Sequence, residues 1–426
     1  MTTAQRVVLA LLAVSLIAGV VTGSTFYYRL GYLWGFLYVG SWLLSRLALR
    51  GLVVRRIPRS LRSQVGQIFE ERFEVQNTTL LPRLWVEVRD EAALPGAKGS
   101  QVLSMIGRRE TRTYLVRTRL TERGIFNLGP TVLASGDLFG LFPVTRRFPA
   151  EESLLVYPMI FDVNVFPNPP GWLSGGEALR RRTHQITPNA AGVRDYAPGD
   201  PLTRIHWLST ARRNRLIVKE FELDPLAEVW IFVDAAQHVQ AALPYAPPKL
   251  QPRDMWRPSV KVPLPPSTEE YAVSIAASIA RYYIRLGRSV GLVSAGHALS
   301  VLPSDRGGRQ LGKILEALSL LRAEGSLPIQ GLVEAQAKNL PRGSTVILIT
   351  PAYSDNVILA VENLQRRGMR PVVVLLDAST FGSPIGAERV NASLAARNLP
   401  VFLVKNGDDL GAVLSSGSGA VGLRTA

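Results

Sequence analysis

The densest group of residues that could do chemistry lies between residues 192 and 222. It begins GVRDYAPGDPLTRIHWLSTAR and ends LIVKEFE. Its arginine forks suit a carboxylate or a phosphate, which favours a recognition surface. The alternative is internal ion pairing between these arginines and the neighbouring acids, which would only fix the segment in place. The candidate partner-binding residues are Arg194, Asp195, Tyr196, Asp200, Arg204, His206, Trp207 and Arg212.

The local pattern predicts how this group is positioned. The run from Ala197 to Asp200 is typical of a turn, and Asp200 is placed to cap a helix that begins near Pro201. On that helix we expect Ile205, Trp207 and Ala211 to face the core. His206 and Ser209 are three residues apart, but no nucleophile elbow or third group accompanies them, so no catalytic residue and no enzymatic activity are predicted.

Composition bounds the kind of protein. The chain has 426 residues, which is enough for two or three domains. It has no cysteine, which excludes a disulfide scaffold, a cysteine-based zinc site and a cysteine nucleophile. The formal charge is +16, and residues 1–226 carry most of the excess. We attribute it to anionic lipid head groups and an ordinary basic surface, because no nucleic-acid-binding motif is visible.

The first fifty residues are strongly apolar. They predict a transmembrane hairpin with spans at about 7–26 and 30–47, separated by an interfacial break at Tyr27–Arg29. The alternative is a cleaved signal peptide followed by a core helix. Six arginines between residues 46 and 62 follow the second span, whereas the connection has only Arg29. This bias predicts a two-span cell-membrane protein with its soluble domains in the cytoplasm.

Two further regions follow the hairpin. Residues 53–165 alternate with period two at 69–75, 84–88 and 111–118, which predicts a small β-sandwich-like domain. Two pieces of this region, RGIFNLGP (123–130) and DLFGLF (137–142), are read as structural turns. Residues 227–415 alternate buried strands with amphipathic helices, which predicts a Rossmann-like α/β domain with a parallel sheet. Residues 166–226 form the segment between them, and 416–426 a flexible tail.

The 192–222 segment resembles the hallmark of the family called DUF58. The RGIFNLGP and DLFGLF pieces and the apolar hairpin are similar to the same family. The resemblance implies a C-terminal domain like von Willebrand factor type A and a protein partner such as a MoxR-type AAA+ ATPase. It implies little about activity, because the family is largely uncharacterised.

Type A domains bind a metal through D-x-S-x-S, a threonine and an aspartate. Asp234 matches the first position, but Ala236 and His238 stand where the two serines belong. Magnesium prefers near-octahedral oxygen ligation, so Asp234 is a weak metal candidate and no cofactor is predicted. The expected role of Asp234 is a turn or capping carboxylate.

Eight prolines lie within residues 242–267, between the first strand and the first helix of the α/β domain. This Pro-rich insertion excludes regular structure there and favours extended chain. It is either a mobile insertion or a docking segment. The sequence as a whole favours a non-enzymatic membrane scaffold or adaptor, with no nucleic-acid partner. The alternative function is metal-dependent ligand binding at the edge of the α/β sheet.

Overall fold

A computed structural model describes residues 2–97, 99–167, 190–197, 205–221, 228–248 and 262–416. The chain begins with two helices, α1 (Thr3–Thr22) and α2 (Thr25–Ala48), which pack against each other as a hairpin. Gly23 ends α1 at φ +64°, a conformation that glycine adopts without strain, and its N–H donates to Gly19 O at 2.9 Å. The predicted break at Tyr27–Arg29 was therefore placed too late, because those residues lie inside α2.

α1 is the one helix in the described part of the chain that is long and apolar enough to cross a membrane. α2 is longer, with 24 residues, but it carries Arg29 and Arg46. Length and composition thus give one candidate span, which weakly suggests that the protein associates with a membrane.

The junction between the hairpin and the β-region that follows it is short and is held by hydrogen bonds. β1 begins at Leu52, whose side chain is fully buried in the next domain. Arg83, 5% exposed, donates to Leu47 O at 2.5 Å and to Arg50 O at 2.7 Å. Leu47 O also accepts from Arg50 N–H at 3.2 Å, and Arg50 follows the end of α2. A buried guanidinium from β4 therefore caps the C-terminal end of the hairpin.

The region after the hairpin is a β-sandwich, in agreement with the alternating pattern. One sheet has the order β1-β3-β6 and the other β5-β4-β8-β9, and a single core joins them around Phe73, Val88 and Leu133. A third sheet, β2-β10-β7, packs on a smaller core beside them. The strands are β1 (Leu52–Pro58), β2 (Arg62–Gln64), β3 (Ile68–Asn77), β4 (Arg83–Asp90), β5 (Gln101–Ile106), β6 (Thr111–Arg119), β7 (Gly124–Asn127), β8 (Thr131–Ser135), β9 (Val144–Phe148) and β10 (Ser153–Tyr157).

The third region is an α/β domain with one six-stranded sheet of order β15-β14-β13-β16-β17-β18. Its strands are β13 (Val229–Val233), β14 (Val290–Ala295), β15 (Leu299–Asp305), β16 (Thr345–Thr350), β17 (Arg370–Leu376) and β18 (Val401–Val404). β15 runs antiparallel to β14, so the prediction of a wholly parallel sheet was wrong at this edge. β15 alternates between exposed and half-buried residues, as an antiparallel edge strand does.

Helices cover both faces of this sheet. They are α4 (Thr268–Arg285), α5 (Gly308–Leu320), α6 (Ile329–Gln336), α7 (Asn356–Arg366), α8 (Glu388–Ala395) and α9 (Leu410–Ser415). α4, α5 and α9 pack on one face, and α6, α7 and α8 on the other. This is why the inner strands are continuous apolar runs rather than alternating ones. The chain order of the strands also places β13 and β16 side by side, where the winding of the sheet reverses.

A buried arginine fastens the β-region to the α/β domain. Arg123, 1% exposed, stands at the start of the RGIFNLGP piece. It donates to Glu269 Oε1 at 2.5 Å and to Leu321 O at 2.8 Å, and it forms an ion pair with Glu270. Both glutamates lie in the first turn of α4, where the helix dipole favours negative charge. The RGIFNLGP piece was predicted to be a structural turn, but Gly124–Asn127 form β7, and its arginine contacts the α/β domain.

The chain that leaves β10 runs along α4. The Phe161 N–H donates to Ser278 Oγ at 2.9 Å, and the Tyr283 hydroxyl donates to Pro167 O at 2.7 Å. Phe166 is buried and stacks on Phe402 with 4.8 Å between ring centroids. The Pro-rich insertion departs and returns at one place, because Ala242 bridges Ser267 and Leu243 N–H donates to Pro266 O at 3.0 Å. Its middle, 249–261, and the predicted tail from 417 lie outside the described residues.

Candidate functional site

The 192–222 segment is a two-stranded antiparallel ribbon that carries a short helix. β11 (Ala190–Asp195) pairs with β12 (Ile217–Phe221), and α3 (Trp207–Arg213) lies between them. Ile205 joins the ribbon through a bridge to Val218, and His206 N–H donates to Ile217 O at 2.8 Å. Ile205, Ile217 and Val218 are buried, so the apolar side of the segment is the ribbon and not the helix.

The helix differs from its prediction. α3 begins at Trp207, not near Pro201, and both Asp200 and Arg204 lie outside the described residues. Trp207 and Ala211 were expected in the core and are exposed, Trp207 to 67%. The hydrogen bonds that join α3 to β12 come from the His206 backbone, directly before the helix, and from Thr210 Oγ1 in its middle, which accepts from Ile217 N–H at 3.1 Å. Neither bond requires Trp207 or Ala211 to be buried. Ile205 is buried, as expected, but it precedes the helix.

The predicted charged residues are only partly brought together. Asp195 forms an ion pair with Arg215 at 3.1 Å, and both side chains are more than half exposed. Arg194 lies in β11 opposite Val218, Tyr196 is half-buried, and Arg212 is exposed near the end of α3. Arg215 was not among the predicted residues, although its position directly before the LIVKEFE run placed it opposite the end of β11. The pair favours the interpretation of internal ion pairing for Asp195.

His206 and Ser209 are in contact, but their contact is a helix cap. His206 Nδ1 lies 2.7 Å from Ser209 Oγ and also accepts the Ser209 N–H at 3.3 Å. A side chain that accepts from the third residue on is what the first turn of a helix requires. In the ranges that the structure describes, no carboxylate pairs with this ring. The three-residue spacing of His206 and Ser209 is therefore that of a helix cap at the start of α3.

What α3 presents outward is an apolar pair beside a cluster of arginines. Trp207 is 67% and Leu208 61% exposed, and no residue of this helix is buried. Arg212, Arg213 and Arg215 follow within two turns and are exposed. Tryptophan and arginine are the side chains that most often dominate binding energy at protein interfaces. We call Trp207, Leu208, Arg212 and Arg213 the α3 surface.

The second candidate, Asp234, stands directly after β13 at the carboxyl edge of the sheet and is 3% exposed. Its Oδ2 accepts from Thr350 Oγ1 at 2.6 Å, and its Oδ1 accepts from Ala236 N–H at 3.1 Å. Burial raises the pKa of the Asp234 carboxyl, and the Thr350 and Ala236 donors and the nearby His238 only partly oppose this. Asp234 is thus a turn carboxylate that links β13 to β16.

This donor set does not fit a divalent cation. Both Asp234 oxygens are already acceptors, the Thr350 hydroxyl donates to one of them, and Ala236 offers no side-chain oxygen. Across the described ranges no group of three or more histidine, aspartate or glutamate side chains is placed to hold a metal ion.

Comparison with known proteins agrees with the sequence resemblance in this segment. Residues 192–242 match the family described as Protein of unknown function DUF58. The chain is also 23% identical over 291 residues to the uncharacterized protein YeaD of Bacillus subtilis (strain 168), across 67% of this chain and 64% of that one. The chain is therefore similar to an uncharacterised family, and it spans less than two thirds of this relative's length.

Solved structures add little. A CARDB domain from Pyrococcus furiosus, in complex with di-metal ions, aligns with 25% of this chain and 91% of its own at 14% identity and a TM-score of 0.18. A GH20 exo-β-N-acetylglucosaminidase from Vibrio harveyi aligns with 84% of this chain and 61% of its own at 8% identity and a TM-score of 0.18. Scores this low carry no conclusion about fold or activity.

Proposed function

We propose that this protein is a membrane-anchored scaffold whose soluble body faces the cytoplasm and binds a protein partner without catalysing a reaction. The observation that carries the proposal is the α3 surface, where Trp207 and Leu208 are exposed within the segment that matches DUF58. A partner with an apolar pocket and an acidic rim would cover the pair and meet the arginines. A MoxR-type AAA+ ATPase is the partner class that we propose.

The apolar hairpin supports the membrane part of this proposal. Val14, Val20, Val21 and Phe36 are each more than 60% exposed, whereas a core helix would bury them. Leaving such residues in water is unfavourable, and lipid is the environment that suits them. We propose that α2 crosses the bilayer beside α1 and that Arg46, Arg50, Arg55 and the following arginines hold both ends in the cytoplasm.

The type A-like identity of the α/β domain is also a proposal. It is supported by the central position of β13, by the reversal of winding between β13 and β16, and by Asp234 at the end of β13. A domain of this kind whose Asp234 carboxylate is engaged in internal hydrogen bonds suits binding that needs no ion. The Asp234 geometry gives no support to the alternative of metal-dependent ligand binding.

The test compares partner recovery by matched variants. The full chain is crosslinked in its native membranes, solubilised and captured, and co-purified ATPase is quantified. Trp207→Ala/Leu208→Ala removes the exposed pair, and Leu359→Ala/Ile385→Ala is the matched control, because both of those side chains are exposed in the α/β domain, at 47% each. We expect the α3 variant to lose the ATPase and the control variant to keep it.

Three results would overturn parts of the proposal separately. Absence of any ATPase with the unaltered chain would remove the proposed partner class. Full recovery by the Trp207→Ala/Leu208→Ala variant would remove the α3 surface as the binding site. A reporter fused to the C-terminus that lies outside the cell would reject the proposed orientation.

A further inference from the structure

The loop between β8 and β9 combines an exposed apolar tip with an internally hydrogen-bonded backbone. Leu138 and Phe139 are 63% and 61% exposed. Asp137 beside them is 2% exposed, and it accepts from Phe139 N–H at 3.0 Å and Phe142 N–H at 2.6 Å. This loop is the DLFGLF piece of the sequence, and we call residues 137–142 the Phe139 loop.

The Phe139 loop is docked on the helical hairpin. Thr2, which caps α1, donates through its hydroxyl to Leu141 O at 3.1 Å. The rings of Tyr38 and Phe142 meet edge to face with 5.1 Å between centroids. Two adjacent residues of the loop thus contact both helices, which fixes the position of the exposed tip relative to the hairpin.

The contacts also fix the height of the loop along the hairpin. At about 1.5 Å per residue, Tyr38 lies about 15 Å before the end of α2, and α1 spans about 30 Å from its start beside the loop. The hydrocarbon core of a bilayer is itself about 30 Å thick. If α1 crosses it, the start of α1 lies at the cytoplasmic interface, and the Phe139 loop extends from there along α2 toward Tyr38.

Backbone N–H groups of the Phe139 loop are hydrogen-bonded within the protein, which suits an environment poor in water. Non-helical backbone is costly there unless its polar groups are satisfied within the protein. Burial alone would raise the pKa of the Asp137 carboxyl, but backbone N–H groups of Phe142, Leu141 and Phe139 outweigh it and lower that pKa. One buried carboxylate therefore satisfies donors that an exposed loop would leave to water.

The surroundings of the loop are basic. Arg146 is exposed on β9, the strand that follows the loop and contacts α2, and Arg6 is exposed near the start of α1. Arg147, the next residue of β9, is also exposed and forms an ion pair with Glu91 at 3.4 Å. Basic side chains around an apolar tip are the usual composition of segments that lie in the interface of anionic membranes.

We propose that the Phe139 loop is a second membrane contact, in which Leu138 and Phe139 insert into the cytoplasmic interface of the bilayer beside the hairpin. The inference rests on the proposed anchor, because the loop reaches lipid only if the hairpin does. A water-facing loop would gain nothing from exposing two large apolar side chains, whereas insertion buries them. The loop would fix the tilt of the soluble body, which one hairpin alone leaves free.

The absence of cysteine allows a direct test of depth. Phe139→Cys, Val14→Cys and Ile385→Cys each give the full chain one thiol on an exposed side chain, which is labelled with the fluorophore NBD. The chains are reconstituted in vesicles of phosphatidylcholine and phosphatidylglycerol, with nitroxide-bearing lipids as quenchers. Leu138→Cys is a second reporter of the loop, in case one substitution disturbs it.

We expect the labels at Phe139 and Leu138 to show blue-shifted emission and several-fold stronger quenching by a shallow nitroxide than the label at Ile385. The label at Val14 should be quenched by a nitroxide deep in the acyl chains, which reports the anchor by itself. Loop labels that behave like Ile385 while Val14 is quenched would overturn the inference and leave the anchor intact. An unquenched Val14 would overturn the anchor. A blue-shifted loop label that lipid nitroxides do not quench would mean that protein covers the loop, which also overturns the inference.

Discussion

Two buried aspartates occupy similar places in different domains and have opposite electrostatics. Asp137 follows the buried strand β8, and Asp234 follows the buried strand β13, with exposures of 2% and 3%. Burial pushes the pKa of each carboxyl upward. The pKa of Asp137 is nevertheless lowered, because several backbone N–H groups converge on it, whereas the pKa of Asp234 is raised, because one N–H and one hydroxyl are too few.

The difference shows what each carboxylate is suited for. Asp137 is stabilised as an anion, and its carboxylate accepts from the backbone N–H groups of the loop that follows. Asp234 is destabilised as an anion, and its carboxylate accepts from the Thr350 hydroxyl and the Ala236 N–H. Ala236 offers no side-chain oxygen beside Asp234, so these neighbours supply no further ligand for a cation.

Glu269 and Glu270 extend this comparison, because their carboxylates are stabilised by a buried cation, Arg123. Removing that cation should give the largest loss of stability. Arg123→Met removes the donor to Leu321 O and the buried cation shared by Glu269 and Glu270, while Glu269 Oε2 keeps the Ala323 N–H at 3.0 Å. We expect a loss of about 3–5 kcal/mol in the free energy of unfolding, measured by denaturant titration of the full chain in detergent, because removing one partner strands buried charge. Arg322→Met is the matched control, since Arg322 is 54% exposed and lies 3.6 Å from Glu269. Equal losses in the two variants would contradict the role of Arg123.

Removing the carboxylate of the first aspartate should have the next largest effect. Asp137→Ala leaves the N–H groups of Phe139 and Phe142 unsatisfied, and we expect about 2–3 kcal/mol of destabilisation at neutral pH. Because the folded pKa lies below the unfolded one, this contribution is complete above the unfolded pKa and disappears as pH falls through the folded pKa. Denaturant titrations at pH 7 and in acid test whether the free energies of unfolding of the unaltered chain and of Asp137→Ala become equal at low pH. Asp195→Ala, at an exposed residue, is the control. A difference that stays constant with pH would argue against it.

The second aspartate should give the opposite pH dependence. Its folded pKa lies above the unfolded one, so ionisation opposes folding as pH rises from the unfolded toward the folded value. The free energy of unfolding of Asp234→Asn, relative to that of the unaltered chain, should therefore increase as pH rises. The slope is at most about 1.4 kcal/mol per pH unit for one proton. Thermal unfolding at several pH values between acid and neutral tests this. A gain that appears only on acidification would reverse the assignment.

The smallest effect concerns the donor to Asp234. Thr350→Val removes the hydroxyl that donates to Asp234 and accepts from Ala352 N–H at 3.0 Å. We expect about 1 kcal/mol of destabilisation for these neutral-donor bonds, because valine keeps the shape of the site. Thr350→Ser keeps the hydroxyl and is the control. If both variants lose the same stability, packing rather than hydrogen bonding holds this edge.

The elements with a strong period were predictable from the sequence. The half-buried strands β3, β4 and β6 were predicted to within one or two residues, because alternation marks them. The buried strands β13, β16 and β17 lie in the region predicted to alternate strands and helices, and a continuous apolar run marks each of them. β15 was missed because it is an edge strand that contains Pro303 and lacks a continuous apolar run. The short helices α6, α8 and α9 lack enough turns for a clear period.

The candidate site was less predictable for physical reasons. The start of α3 is set by His206 and by pairing with β12, which local propensity for a turn at Pro198–Asp200 does not reveal. The exposure of Trp207 follows from that shifted start. The ion pair between Arg123 and Glu269 joins residues 146 positions apart, and a single sequence holds no signal for such a pair.

The cap that Arg83 places on α2 has a mechanical consequence. Three residues separate Ala48 from Leu52, and the Arg83 guanidinium donates to Leu47 O and Arg50 O, so the junction leaves little freedom for the β-sandwich to turn relative to the hairpin. A rotation of the β-sandwich would therefore carry the hairpin with it.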